Sequence, residues 1–160
     1  MLIMPIFDFI AISMQIIPGI YSIKSVGYIS QVLNGNLEGP PVIDQREAEV
    51  PSQRWIISEA GSGYTIRNSF SGLYISSSGS KVILQGTLQE WDNEDESRGR
   101  FQIKEAGVGK SIELRSGANG TPVVIANYVG KSTQQWYFQV STSGQLKNYA
   151  VQEVGLGTST

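Results

Sequence analysis

The sequence predicts an all-β domain of three repeated units with about four short strands each, and three observations lead there. First, Trp55-Ile56-Ile57-Ser58-Glu59-Ala60-Gly61-Ser62-Gly63-Tyr64-Thr65-Ile66 aligns without a gap on Phe101-Gln102-Ile103-Lys104-Glu105-Ala106-Gly107-Val108-Gly109-Lys110-Ser111-Ile112. Second, the opening aromatic returns as Trp136 in Gln134-Gln135-Trp136-Tyr137-Phe138, and the closing Gly-x-Tyr-x-Ile occurs earlier as Gly19-Ile20-Tyr21-Ser22-Ile23. Third, eighteen glycines and short runs of Val, Ile, Tyr and Thr broken by turn residues suit many strands with tight connections.

Past Gln15, residues 19–23, 27–30, 41–44 and 53–57 form the strands of unit one, each alternating as a half-buried strand does. Unit two repeats them with residues 63–66, 72–76, 81–84 and 100–103. Unit three has residues 109–114, 122–125 and 134–138, which leaves it incomplete by one strand. The vacancy is open to the tail segment 145–151, to the apolar N-terminus, or to a gap whose free edge would favour homo-oligomers. The expected layout is an apolar N-terminal extension over 1–14, the domain over 15–151 and a flexible tail over 152–160.

Composition narrows the function. The 160 residues carry a net charge of −2 with scattered basic residues, so the electrostatic footprint of a nucleic-acid binder is missing. Cysteine and histidine are both absent, which removes disulfides, thiolate and imidazole metal ligands, Ser-His-Asp and Cys-His catalysis. No metal or cofactor is expected, nor an enzyme. Paired carboxylates remain, and Glu90-Trp91-Asp92-Asn93-Glu94-Asp95-Glu96 supplies them, but a solvated loop between strands is the plainer reading of that run. Residues 1–17 are apolar yet lack Lys and Arg and contain Pro5 and Asp8. Despite Ala11-Ile12-Ser13, this fits a secretory leader poorly, and it is too short to span a bilayer. The compartment stays undetermined, cytoplasm being favoured over secretion.

Repeated four-strand units closed by Gln-x-Trp resemble the β-trefoil of ricin-B-type lectins, carbohydrate-binding modules and small fungal trefoil proteins. The resemblance covers roughly residues 15–140, most specifically Gly120-Thr121-Pro122-Val123 through Gln134-Gln135-Trp136. It implies a barrel capped by hairpins, with Trp55, Phe101 and Trp136 around a pseudo-threefold axis.

It also implies glycans or glycoproteins as partners, held by an aromatic face and planar polar side chains. In unit three the matching residues are Glu113, Asn127, Tyr128, Thr133 and Gln134. Unit one offers Gln31, Asp44, Arg46, Ser52 and Gln53 without a stacking ring. Unit two is read as lacking Gln-x-Trp, with Arg98-Gly99-Arg100-Phe101 in its place. Gln53 and Gln134 have a structural reading too, as buried amides bridging turn backbone. Small fungal trefoil proteins include protease inhibitors, for which Asn34 in Leu33-Asn34-Gly35-Asn36-Leu37 and Arg46 in residues 45–51 are candidates. A non-catalytic subunit that has lost sugar binding is the remaining alternative.

Overall fold

The computed structural model describes residues 14–35, 42–141 and 151–153. Its strands are β1 (Met14–Ile16), β2 (Gly19–Ser25), β3 (Gln31–Asn34), β4 (Ile43–Arg46), β5 (Trp55–Ala60), β6 (Gly63–Asn68) and β7 (Tyr74–Ser78). There follow β8 (Lys81–Gln85), β9 (Trp91–Asp95), β10 (Arg100–Glu105), β11 (Lys110–Glu113), β12 (Val124–Asn127), β13 (Trp136–Val140) and β14 (Val151–Glu153). Single 3-10 turns, Pro51–Gln53 and Ser132–Gln134, precede β5 and β13.

Six of these strands close a barrel. β2 pairs with β5, β5 with β6, β6 with β9, β9 with β10, β10 with β13, and β13 returns to β2, all antiparallel. Closure removes the free edges that would otherwise seek partners. The hairpins β3–β4, β7–β8 and β11–β12 are the second and third strands of the three units. They are joined by the β8–β12 contact Val124↔Lys81 and by the bridge Ile43↔Pro122. The architecture is a β-trefoil.

The core identifies the true repeat. Trp55, Trp91 and Trp136 are all fully buried. Each indole N–H donates to the carbonyl of a second-strand residue: Trp55 to Leu33 at 3.0 Å, Trp91 to Ile75 at 3.0 Å, Trp136 to Ile112 at 3.1 Å. Three large aromatics making one contact three times mark the pseudo-threefold positions, so Trp91, not Phe101, completes the set. Phe101 is equally buried, but it lies on β10, opposite Trp136 in register and edge-on to Phe138 at 5.9 Å.

Three expectations change with this assignment. Unit two does contain Gln-x-Trp, as Gln89-Glu90-Trp91. The acidic run is not a loop: Trp91–Asp95 is the barrel strand β9, held by β10 along its length and by β6 at Trp91. The unit boundaries then move, and β10 becomes the first strand of unit three, which fills the vacancy. Unit three is β10 to β13, and all three units have four strands. The repeated string had been out of phase, since its first copy spans β5–β6 and its second spans β10–β11.

Two glycines are required where they stand. Gly107 turns β10 into β11 at φ +74°, a conformation costly for residues with a Cβ. At Gly63 a Cβ would lie 2.6 Å from the Trp91 carbonyl, so only glycine lets β6 approach β9 this closely. Outside the barrel, β1 pairs with β14 from Met14↔Glu153 to Ile16↔Val151, and Ile16 is buried in the core. Residues 1–13, the segment 145–150 and the tail 154–160 lie outside the described residues.

Candidate functional site

The Gln-x-Trp glutamines show how sequence sets the local geometry. Gln134 is 1 % exposed, accepts a hydrogen bond from the Val129 N–H at 2.9 Å and donates to the Asn127 carbonyl at 2.7 Å. Gln53 does the same in unit one, accepting from the Ala48 N–H at 2.8 Å and donating to the Arg46 carbonyl at 3.0 Å. Both amides clamp the turn that follows the third strand, and their polar atoms are occupied. Gln89 has a shorter chain to span and reaches strand two instead, accepting from the Ser77 N–H at 2.9 Å.

The clamp presents Asn127 and Tyr128. The Asn127 side chain is exposed at the end of β12, opposite Lys110 in register. Tyr128 is half-buried, and its hydroxyl accepts from the Gln135 amide at 3.0 Å. Burial raises the Tyr128 pKa, and neighbouring Glu96 raises it further, while Gln135 and Arg100 act the other way. A hydrogen-bond chain supports this corner: the Ser111 hydroxyl donates to Gln102 at 2.6 Å, and Gln102 donates to Glu96 at 2.9 Å. The ring is therefore held at its hydroxyl end. Glu96, Arg100 and Gln135 were not singled out from the sequence: Glu96 and Arg100 meet Tyr128 only once the barrel brings β9 and β10 beside it, and Gln135 is the variable middle residue of Gln-x-Trp.

Glu113 and Thr133 form a second group. Glu113 is buried at 3 %, and its carboxylate accepts from Arg115 at 2.9 Å and from the Thr133 hydroxyl at 3.0 Å. Tyr28 stands alongside, donating to the Arg115 carbonyl at 3.2 Å and leaning against Gly117. Glu113 is three residues from Lys110 along β11, about 10 Å at the rise of a strand. Of the five unit-three residues, the structure thus joins Glu113 with Thr133, and Gln134 with the Asn127 backbone beside Tyr128.

In unit one, Asp44 is fully buried, opposite Leu33 in register, where units two and three place Leu84 and Ile125. One of its carboxylate oxygens accepts from the Thr121 N–H and the other has no hydrogen-bond partner. Burial raises its pKa, partly offset by backbone hydrogen bonds. Arg46 is exposed, with its N–H bound to Asn119 at 2.9 Å. Asn34 is half-buried and accepts from the Ser52 hydroxyl at 2.9 Å, while Asn36 and Leu37 of its loop lie outside the described residues. Among the described residues no cluster of three or more His, Cys, Asp or Glu could hold a metal, and no helix is long and apolar enough to cross a membrane.

A closed barrel with three indole-anchored hairpins defines a β-trefoil. Residues 52–126 match the family model for the ricin-type beta-trefoil lectin domain-like family. Among solved structures, the Macrolepiota procera ricin B-like lectin in complex with lactose is similar at TM-score 0.70 and 20% identity, covering 78% of this chain and 97% of that one. The Rhizoctonia solani agglutinin is similar at TM-score 0.70 and 25% identity, covering 78% and 96%. ThreeFoil, a designed threefold-symmetric protein, aligns at TM-score 0.68 and 21% identity, covering 75% and 97%. No curated protein sequence matches the chain.

Proposed function

We propose that this chain is a non-catalytic carbohydrate-binding protein whose unit-three corner, built on Tyr128 and Asn127, contacts sugar. The observation that carries the reading is the half-buried Tyr128 ring, pinned at its hydroxyl by Gln135, next to an exposed amide with donor and acceptor capacity. An aromatic face over the apolar side of a pyranose, with an amide for vicinal hydroxyls, is the chemistry a hydroxyl-rich ligand needs. The ricin-type lectin match and the lactose complex of the Macrolepiota lectin support the ligand class.

Within this reading, Gln134 shapes the turn rather than meeting the sugar. Glu113, Thr133 and Arg115 form a polar neighbour for a longer glycan. A shallow corner binds weakly, so cell-surface adhesion would depend on several sites acting together. An immobilised-glycan array with labelled protein tests the proposal. Retention on galactosides or other glycans that Tyr128→Ala abolishes is expected, and identical retention by parent and variant would overturn the site.

A further inference from the structure

At the position two residues after each buried tryptophan, the threefold repeat places Ile57, Asn93 and Phe138. Ile57 and Phe138 are core residues, each 1 % exposed. Asn93 is an amide standing where the barrel calls for an apolar side chain, opposite the fully buried Ile103 in register. Both polar atoms of that amide are shut off from solvent, and neither has a hydrogen-bond partner. Buried amides are nearly always hydrogen-bonded, and leaving one unmade is costly, so retention of asparagine at a core position calls for a further role.

Asn93 also borders a cleft of about 340 Å³ whose other walls include Tyr64, Asp92, Glu94, Lys104 and Gln15. The volume lies within the range of small-molecule sites, at its lower end. Tyr64 contributes a half-buried ring and Asp92 a carboxylate, while Lys104 and Glu94 form an ion pair at 2.6 Å. The cleft lies between β6, β9 and β10, and none of its residues belongs to the β11–β12 hairpin or the turn carrying Tyr128.

We infer that this cleft is a second carbohydrate-binding site, in which the Asn93 amide turns toward the ligand and bonds its hydroxyls. Rotation of the side chain costs no existing hydrogen bond, because the amide makes none. Tyr64 supplies the ring for the apolar side of the pyranose and Asp92 the second acceptor. The net negative charge of Asp92 beside the neutralised Glu94–Lys104 pair favours a neutral sugar over an acidic one. The ligand class rests on the lectin reading, whereas the location of the cleft does not.

The test is a two-dimensional NMR titration of the ¹⁵N-labelled full chain with lactose, N-acetylglucosamine, mannose and sialyllactose. The Asn93 side-chain amide reports on the cleft and that of Gln135 on the Tyr128 corner. A neutral sugar should shift the Asn93 amide and the Tyr64 and Asp92 backbone signals. In Asn93→Ile, which restores the apolar residue found in unit one, affinity at the cleft should fall at least tenfold while the unfolding midpoint holds or rises.

Shifts at Gln135 with none around Asn93 would overturn the second site and leave the unit-three reading standing. Shifts around Asn93 alone would support the cleft and count against the Tyr128 corner. Silence at both for all four sugars, or undiminished cleft binding in Asn93→Ile, would overturn this inference.

Discussion

The indole N–H of Trp91 donates to the carbonyl of Ile75 at 3.0 Å, with both residues fully buried. The same donor and acceptor positions recur in the other two units, so this bond fixes each hairpin to its barrel strand. Trp91→Phe keeps most of the apolar volume but leaves the Ile75 carbonyl unsatisfied, an expected loss of about 1 to 3 kcal/mol. Trp91→Ala and Trp136→Ala should each cost about 3 to 5 kcal/mol, as large aromatic truncations in cores do. Urea unfolding followed by tryptophan fluorescence checks both, and an unchanged midpoint for Trp91→Ala would remove Trp91 from the threefold set.

Gln134 and Gln53 are expected to matter for stability before they matter for binding. Gln134→Leu leaves the Val129 N–H and the Asn127 carbonyl without their partners, at a cost of about 1 to 3 kcal/mol. Gln89→Leu should cost less, since Gln89 is only half-buried and the Ser77 hydroxyl keeps its bond to Glu105 although the Ser77 N–H loses its acceptor. Equal midpoints for Gln134→Leu and the parent in thermal denaturation would contradict the clamp.

Asp44 gives the protein a distinctive acid behaviour. Burial raises its pKa above the ordinary 3.8, so between those values the folded chain holds more protons than the unfolded one. Its contribution to stability is fully present below about 3.8 and is lost as pH rises through the folded pKa. Asp44→Asn can still accept from the Thr121 N–H and carries no charge. Its stability relative to the parent should therefore grow as pH rises through that window and level off above it, measured by urea unfolding at closely spaced pH values. A constant difference would mean that Asp44 is not titrating against burial.

At the alkaline end, Tyr21 is pushed up to about 12, first by burial and then by the charge of Tyr64. Its hydroxyl donates to the Ile17 carbonyl. A folded pKa above the usual 10 makes this contribution to stability fade as pH rises from about 10 to 12. Absorbance titration near 295 nm, where tyrosinate absorbs, should lose a group ionising near 12 in Tyr21→Phe, and a titration curve unaltered by that substitution would contradict the assignment.

The trefoil was legible because Trp55 and Trp136 follow glutamine at the same spacing and because strand, glycine turn and strand recur. The phase of the repeat was not. Trp91 sits in an acidic run whose inward positions continue as Asn93 and Asp95, so β9 lacks the apolar alternation that marks a strand. Its partners β6 and β10 hold it in the barrel, and that pairing is not local in sequence. The aligned string misled for a related reason: a strand turning through glycine looks alike whether it joins two units, as at Gly61, or two strands of one unit, as at Gly107.

Much the same holds for the site. The resemblance to ricin-B-type lectins was enough to place Asn127 and Tyr128 at the end of the third strand. The partners that hold Tyr128, Glu96 and Gln135, come from the β9–β10 turn and from the middle of Gln-x-Trp, and no spacing rule links them. Glu113 fell at the far end of its hairpin because its match to the family's Asp fixes a strand position, not a distance to Tyr128.

Calorimetric titration of the full chain with lactose and with the glycans retained on the array tests the lectin reading most directly, run beside Tyr128→Ala and Asn127→Ala. Saturable binding to the parent, weakened at least tenfold by Tyr128→Ala in a variant that keeps the parent's unfolding midpoint, is the expected result. Binding of equal strength in the parent and both variants, or no heat with any glycan, would contradict it.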